Sequence, residues 1–78
     1  MAVGFVLVKV DMGSERAVFD GLAKVDAVKE LFPLFGEYDF IARVEAPDFD
    51  ALGQVLVSEI RTIGGVLATK TLTATKFF

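Results

Sequence analysis

The run Gly36-Glu37-Tyr38-Asp39 contains the residue types in this sequence that are best suited to binding a small charged molecule. A glycine leaves backbone N–H groups free to bind a carboxylate, and an acidic side chain can bind an ammonium group beside an aromatic ring. Asp39 or Glu37 would then hold the α-amino group of an amino acid. The same residues also suit a plain hairpin, in which Asp39 caps the turn and Tyr38 belongs to the core or an interface.

A second polar group is a series of alternating threonines near the end of the sequence. The series consists of Thr69, Thr71, Thr73 and Thr75. Their hydroxyls share one face of a predicted strand and could line a polar pocket. More often, such a ladder belongs to a half-exposed edge strand.

Two acidic loops have simpler interpretations. The loop Asp11-Met12-Gly13, which precedes a helix, could bind an anion through its backbone N–H groups, but it is more typical of a plain turn. Asp48 and Asp50 lie too close together in the sequence to face each other across an active site. They suit a helix cap and the helix dipole instead, so we assign them no catalytic role.

Composition excludes most common active sites. The sequence has no Cys and no His, so it lacks a thiolate nucleophile, an imidazole base and the ordinary ligands of zinc or haem. We therefore predict no cofactor, no metal and no enzymatic activity. The net charge is −3 and the basic residues are scattered, so no direct contact with nucleic acid is expected. The apolar N-terminal run is too short for a membrane span or a signal peptide, which predicts a cytoplasmic protein.

Apolar periodicity predicts six elements in the order β-α-β-β-α-β. The predicted strands are Val3–Val10, Val28–Phe35, Tyr38–Ala46 and Val66–Thr75. The predicted helices follow the caps Ser14 and Asp48 and end near Lys24–Asp26 and at Gly64-Gly65. Pro33 lacks a ladder donor, which places its strand at an edge or a bulge.

This order predicts a ferredoxin-like α+β fold, with a four-stranded antiparallel sheet and two helices on one face. Residues 1–78 are long enough for one such domain and too short for two. Val3–Val10 is apolar on both faces, and 54% of all residues are hydrophobic. The bare sheet face is therefore expected to pack against a second copy, with Ile41 facing the partner.

Three regions give the sequence a resemblance to a known family. They are Leu34-Phe35-Gly36-Glu37-Tyr38-Asp39-Phe40-Ile41, Val44-Glu45-Ala46 with Asp48 opening a helix, and Ile60-Arg61-Thr62-Ile63-Gly64-Gly65-Val66 with Thr69-Lys70-Thr71. From Val3 to Thr75 the chain resembles the effector-binding RAM domain of the Lrp/AsnC family of transcriptional regulators. No residues before Val3 remain for the helix-turn-helix domain of that family, so we expect a stand-alone module that does not bind DNA by itself.

The resemblance implies a function in sensing and assembly. In that family the domain dimerises through its sheets and the dimers associate into rings. Amino acids bind at the junction between dimers, near the loop that joins the second and third strands. By that resemblance Gly36, Tyr38 and Asp39 are the best ligand residues. Glu37, Thr69 and Thr71 complete the predicted ligand site because their side chains could bind an ammonium group or line a polar pocket. The implied partners are a free amino acid, further copies of the chain and full-length Lrp/AsnC regulators.

Other functions stay open on sequence alone. The chain could be a pure assembly module whose ligand site has decayed. It could also be a small enzyme of the dimeric α+β barrel type, with only carboxylates, Tyr38, Lys and Arg as reactive groups. The ACT domain, another amino-acid-binding module, has the same element order and would place its site at residues 11–14. Phe77 and Phe78 could clamp a neighbouring subunit or form a frayed terminus.

Overall fold

A computed structural model describes residues 1–75 and shows a four-stranded antiparallel sheet. In chain order the elements are β1 (Ala2–Val10), α1 (Glu15–Ala23), β2 (Val28–Pro33), β3 (Phe40–Ala46), α2 (Phe49–Val55) and β4 (Val66–Thr73). The strands lie in the order β2-β3-β1-β4, so β1 and β3 are central and β2 and β4 are edges. This confirms the predicted ferredoxin-like α+β class, while Phe77 and Phe78 lie outside the described residues.

The even-numbered residues of the two central strands form one face of the sheet, which the helices cover. Val6 pairs with Ala42, and Val8 pairs with Phe40. All four are buried. The helical region adds Val18, Leu22, Leu52, Leu56 and Ile60 to the same core. Burial of apolar surface contributes about 25 cal/mol per Å², so this covered face is the main source of stability.

The two helices begin differently. Asp48 caps α2 as predicted, because its Oδ1 accepts a hydrogen bond from the N–H of Ala51 at 2.7 Å. Ser14 occupies the N-cap position of α1, but its side chain makes no capping hydrogen bond. Its backbone is not extended (φ −100°, ψ 5°). The Glu15 carboxylate accepts a hydrogen bond from the N–H of Gly13 at 2.9 Å instead.

The helix α2 continues into a π-helical turn, Leu56–Ile60, which the sequence pattern does not predict. Arg61 N–H donates to the carbonyl of Leu56, five residues back, at 2.9 Å. Ile60 at the end of this turn is fully buried, whereas Arg61 is exposed. Gly65 then takes a φ of +101°, which favours glycine, and β4 begins at the next residue.

The second and third strands are shorter than predicted at their shared end. β2 ends at Pro33 rather than Phe35, and β3 begins at Phe40 rather than Tyr38. The intervening residues form a connection that is closed by a hydrogen bond of 2.8 Å from the N–H of Leu34 to the carbonyl of Asp39. Pro33 lies at the end of an edge strand, as predicted.

The opposite face of the sheet, which we call the open face, is not covered by either helix in the described residues. In β1 and β3 it consists of odd-numbered residues, which are less buried than their neighbours. Phe5 pairs with Leu72 of β4, and Ile41 pairs with Phe32 of β2. Phe5, Phe32 and Leu72 are 37%, 54% and 52% exposed. Within residues 1–75 this face is therefore bare, as the predicted fold requires.

Candidate functional site

Asp39 fastens the β2–β3 connection to the central strand β1. Its N–H donates to the carbonyl of Val8 at 2.8 Å. Its Oδ2 accepts a hydrogen bond from the N–H of Val10 at 2.8 Å. A carboxylate acceptor makes the second bond charge-assisted, worth roughly 1.5–3 kcal/mol. Asp39 thus extends the contact between β3 and β1 beyond the end of the strand ladder.

This contact differs from both sequence interpretations of Asp39. The side chain reaches across to a strand 29 residues earlier, rather than only capping its own turn. A carboxylate carries acceptor sites on both oxygens, so Asp39 can still accept a bond from a ligand ammonium through Oδ1. The residue is half-buried, and therefore any ligand bond would form at the edge of the core.

The rest of the run lies on the surface of the same connection. Gly36 has a φ of +122°, and a Cβ at this position would meet no atom within 4 Å. The backbone conformation therefore favours glycine here, although a larger side chain would meet no steric clash. Glu37 is exposed and Tyr38 is half-buried. We call Gly36, Glu37, Tyr38 and Asp39 the hairpin half-site.

The two predicted threonines of β4 lie on the same side of the sheet as the helices. Thr69 pairs with Val8 and Thr71 with Val6. The Oγ1 of Thr69 accepts a hydrogen bond from Arg61 Nε at 3.3 Å. The Oγ1 of Thr71 is buried and has no hydrogen-bond partner within residues 1–75. A buried hydroxyl without a partner is unfavourable, so Thr71 would gain from an added polar contact.

A surface cavity of about 310 Å³ lies beside Thr69. Its lining consists of Arg61, Val66, Leu67, Ala68 and Thr69. A guanidinium next to a hydroxyl is well suited to a carboxylate. Arg61, which directly follows the π-helical turn, is not among the predicted ligand residues. We call Arg61, Thr69 and Thr71 the β4 half-site.

The two half-sites do not meet within one chain. β1 lies between β3 and β4. Since neighbouring strands are about 4.8 Å apart, β3 and β4 are separated by roughly 10 Å. Thr69 approaches Val8 from one side of β1, and Asp39 approaches it from the other. The structure therefore brings together the predicted residues within each half-site, but not the complete set.

The open face carries one cluster of charges among its apolar side chains. Arg43 forms ion pairs with Glu30 and Glu45. The hydrogen bonds from Arg43 to Glu30 and then to Glu45 raise the pKa of the guanidinium. Arg43 is therefore charged at any physiological pH, and the three side chains together leave one negative charge at this corner of the open face.

Among residues 1–75, no three His, Cys, Asp or Glu side chains lie close enough together to hold a metal ion. In the same part of the chain, no helix is both long enough and apolar enough to cross a membrane.

Sequence and structure comparisons find proteins with the same fold. HTH-type transcriptional regulator LrpA1 of Halobacterium salinarum is 38% identical over 64 residues, which cover 80% of this chain and 45% of the regulator. The crystal structure of FFRP-DM1 matches with a TM-score of 0.92 and 33% identity, over 96% of this chain and 100% of that one. A Neisseria meningitidis regulator, crystallised as a complex with L-Met, has the same fold: its TM-score is 0.86 at 21% identity, over 96% of this chain and 50% of that one.

The matches to curated proteins cover one part of each relative. The chain spans about half the length of the curated relatives it matches, and these are HTH-type transcriptional regulators. A family model described as the Lrp/AsnC ligand binding domain matches residues 3–78. The resemblance stated from the sequence is thereby confirmed. The chain belongs to the Lrp/AsnC family, of which it carries the ligand-binding domain.

Proposed function

We propose that this chain senses a free amino acid and assembles with further copies of itself, as a module of Lrp/AsnC-type regulation. One observation carries the proposal: the hairpin half-site and the β4 half-site lie on opposite sides of β1. Neither half-site alone surrounds a ligand. A neighbouring copy that presents its β4 half-site to the hairpin would supply the missing wall. Since a ligand pocket buries most of a small ligand, sensing and assembly would depend on each other.

The chemistry of the two half-sites matches the two ends of an amino acid. Arg61 offers a guanidinium to the carboxylate, with the hydroxyl of Thr69 beside it. Asp39 and Glu37 offer carboxylates to the ammonium group. A charge-assisted hydrogen bond is worth roughly 1.5–3 kcal/mol, so one at each end would select zwitterions over singly charged molecules.

The open face supports assembly as the first step. Three large apolar side chains, Phe5, Phe32 and Leu72, are exposed there. Soluble monomers seldom expose apolar patches larger than a few hundred Å². Packing of two open faces against each other would bury these side chains. The dimer would then be the unit from which larger assemblies form.

A second candidate function is assembly without a ligand. The bond between Asp39 and the N–H of Val10 favours it, because that bond gives the carboxylate a structural role that needs no ligand. In this case Asp39 would hold the β2–β3 connection in the conformation needed for contact with another copy of the chain, and for nothing else. The oligomer would form normally, and no amino acid would stabilise it.

The regulatory context of the domain is part of the same proposal. The relatives join this kind of domain to a DNA-binding part, as their HTH-type names indicate. We propose that the chain acts in the cytoplasm and co-assembles with full-length regulators of the family. Contact with DNA would then be made by the helix-turn-helix domain of the partner.

Calorimetry and thermal melts against the twenty amino acids test the sensing function. L-Met is the first probe, since the regulator from Neisseria meningitidis with this fold was crystallised with it. Arg61→Ala is expected to raise the Kd of the bound amino acid by about tenfold to a hundredfold. Lys24→Ala removes an exposed cation elsewhere and should leave Kd unchanged. If a normal oligomer shows no heat and no melting shift at millimolar ligand, the function is assembly alone.

A further inference from the structure

The open face of the sheet has an acidic side and a basic side. On β2 and β3 it carries Arg43 with its ion-pair partners Glu30 and Glu45, two carboxylates around one guanidinium. On β1 and β4 it carries Lys9 and Lys70, which are both exposed. Within residues 1–75 neither lysine forms a salt bridge. The two sides of the open face therefore carry opposite charges.

Glu30 is the carboxylate of the acidic side with the fewest partners. Glu45 pairs with Arg43 and also lines a cavity together with Lys29. Glu30 forms a salt bridge with Arg43 and with no other cation of residues 1–75, and its side chain is 50% exposed. Its Oε1 accepts the hydrogen bond from Arg43 Nε. Because a carboxylate has acceptor sites on both oxygens, Oε2 can accept a bond from a further cation.

Lys70 does not supply this cation within its own chain. It lies on β4, and Glu30 lies on β2, at the opposite edge of the sheet. Three strand spacings of about 4.8 Å separate the two edges, roughly 14 Å in all, and the side chains of β1 and β3 lie between them. A salt bridge between Lys70 and Glu30 therefore requires two copies of the chain.

Two copies that pack by their open faces can be related by a two-fold axis in either of two limiting directions. An axis perpendicular to the strands places β4 over β4 and β2 over β2, so that the two basic sides meet and the two acidic sides meet. An axis parallel to the strands places β4 over β2 and β1 over β3, given the order β2-β3-β1-β4. Like charges that face each other across an interface are unfavourable, whereas opposite charges attract. The charges of the open face therefore favour the parallel axis.

We propose that a second copy of this chain covers the open face in the parallel arrangement, with Lys70 of each copy paired to Glu30 of the other. A two-fold axis causes no shift along its own direction, so residues of the same row face each other. Glu30, Arg43, Phe5 and Leu72 form one row of the sheet. Glu30 of one copy would then face Leu72 of the other, two residues from Lys70. Face-to-face sheets lie about 10 Å apart, a gap that a lysine and a glutamate side chain bridge together.

The same arrangement gives the second charged group of the row a partner. Arg43 would face Phe5 of the second copy, and a guanidinium over a phenyl ring forms a favourable cation–π contact. The hydrogen bonds to Glu30 and then to Glu45 raise the pKa of Arg43, so it enters this contact charged. The net negative charge of its cluster would be balanced by Lys70 of the second copy.

The pair between Lys70 and Glu30 would select the partner as well as its orientation. Symmetry repeats the pair twice in each dimer. A domain of the same fold without a cation at the position of Lys70 would leave Glu30 of this chain without its second partner in the interface, which is costly when the site is dry. The exposed apolar side chains would supply most of the affinity, and the ion pairs would favour a second copy over other domains. The inference rests on the proposed function in taking the sheet-to-sheet dimer as given.

Sedimentation equilibrium of the full chain tests the pair, with circular dichroism to show that each variant folds. Lys70→Glu would face Glu30 with a second carboxylate and is expected to raise the Kd of the dimer by at least about tenfold. Adding Glu30→Gln removes that repulsion, so the double variant should dimerise more tightly than Lys70→Glu alone. Lys24→Glu makes the same change of charge at the end of α1 and should leave the Kd unchanged. For a dimer too tight to dissociate, the rate of exchange between labelled and unlabelled subunits should follow the same ranking.

The outcomes separate this inference from the proposed function. A parent chain that is monomeric at all concentrations contradicts the sheet-to-sheet dimer and with it the proposed function. A dimer that Lys70→Glu leaves unchanged overturns the pairing alone. A loss in Lys70→Glu that Glu30→Gln does not relieve also overturns it, because Lys70 would then face another group. The measurement contains no ligand, so a failure to bind amino acids bears on the proposed function and not on this pair.

Discussion

Alternate residues of β1 and β3 have opposite surroundings on the two faces of one sheet. On the covered face Val6, Val8 and Val44 are fully buried against the helices. On the open face the odd-numbered residues of the same two strands include Phe5 and Ile41, which stay partly exposed. The covered face therefore contains the interactions that fold the chain. The open face contains side chains whose burial requires a second molecule, so stability and assembly can be perturbed separately.

The largest effect is expected from a charge on the covered face. Val8→Asp would place a carboxylate where the residue is 0% exposed, and among residues 1–75 no buried cation is present to pair with it. An unpaired buried charge costs several kcal/mol, a large fraction of the roughly 5–15 kcal/mol that stabilises a domain. Circular dichroism should show an unfolded chain. Lys9→Asp puts the same carboxylate on the exposed neighbour and should leave the spectrum folded.

The next effect separates assembly from folding. Ile41→Asp places a carboxylate on the open face, opposite Leu7 of β1. The helical and strand signals should persist, while the dimer is lost and the chain becomes monomeric or aggregates. Light scattering reports this directly, with Ile41→Val as the matched control that keeps the surface apolar. An unchanged dimer would show that Ile41 does not face the partner.

A smaller effect is expected at Asp39, for which we consider two roles: a structural hydrogen bond to Val10 and a proposed bond to the ligand. Asp39→Ala leaves the N–H of Val10 without its acceptor, so the free energy of unfolding should fall by about 1.5–3 kcal/mol. Asp39→Asn keeps an acceptor oxygen and should recover part of this loss. Melting temperature and amino-acid affinity should be measured on the same variants. If both variants lose affinity while Asp39→Asn largely keeps its melting temperature, the negative charge of Asp39 binds the ligand. If affinity is unchanged in both variants, Asp39 has a structural role alone.

No effect at all is expected when duplex DNA is added to the chain. The basic residues are scattered along the sequence, and the net charge is −3. Duplex DNA should therefore show no salt-sensitive shift at submicromolar concentrations of the chain. A shift that disappears with added salt would reveal a basic surface that the charge distribution does not show.

Local pattern is sufficient to predict the two faces. The alternation from Phe40 to Glu45 assigns each side chain to its face, and the strand pairings agree with that assignment. The cap at Asp48 and the edge position of Pro33 are likewise local, because they depend on one side chain and one missing donor. These features follow from sequence since each is decided within a few residues.

The features that were missed depend on distant contacts. The bond from Val10 to Asp39 spans 29 residues, and no pattern near either residue indicates it. Arg61, which reaches Thr69, directly follows a π-helical turn, and apolar spacing does not distinguish such a turn from an ordinary helix. Ser14 makes no capping hydrogen bond, and its backbone is not in the extended conformation that an N-cap residue usually adopts. The separation of the two half-sites likewise follows from strand order, and it is the feature that most changes the interpretation of the site.

Calorimetric titration of the amino acid at several protein concentrations tests the shared site most directly. The half-sites lie on opposite sides of β1, and the proposed function therefore has a neighbouring copy complete the site. We predict that the Kd of the amino acid falls as the protein concentration rises through the range in which dimers associate, and that the ligand in turn promotes association. A dilute sample that is dimeric by light scattering and binds the ligand at full strength would contradict the account.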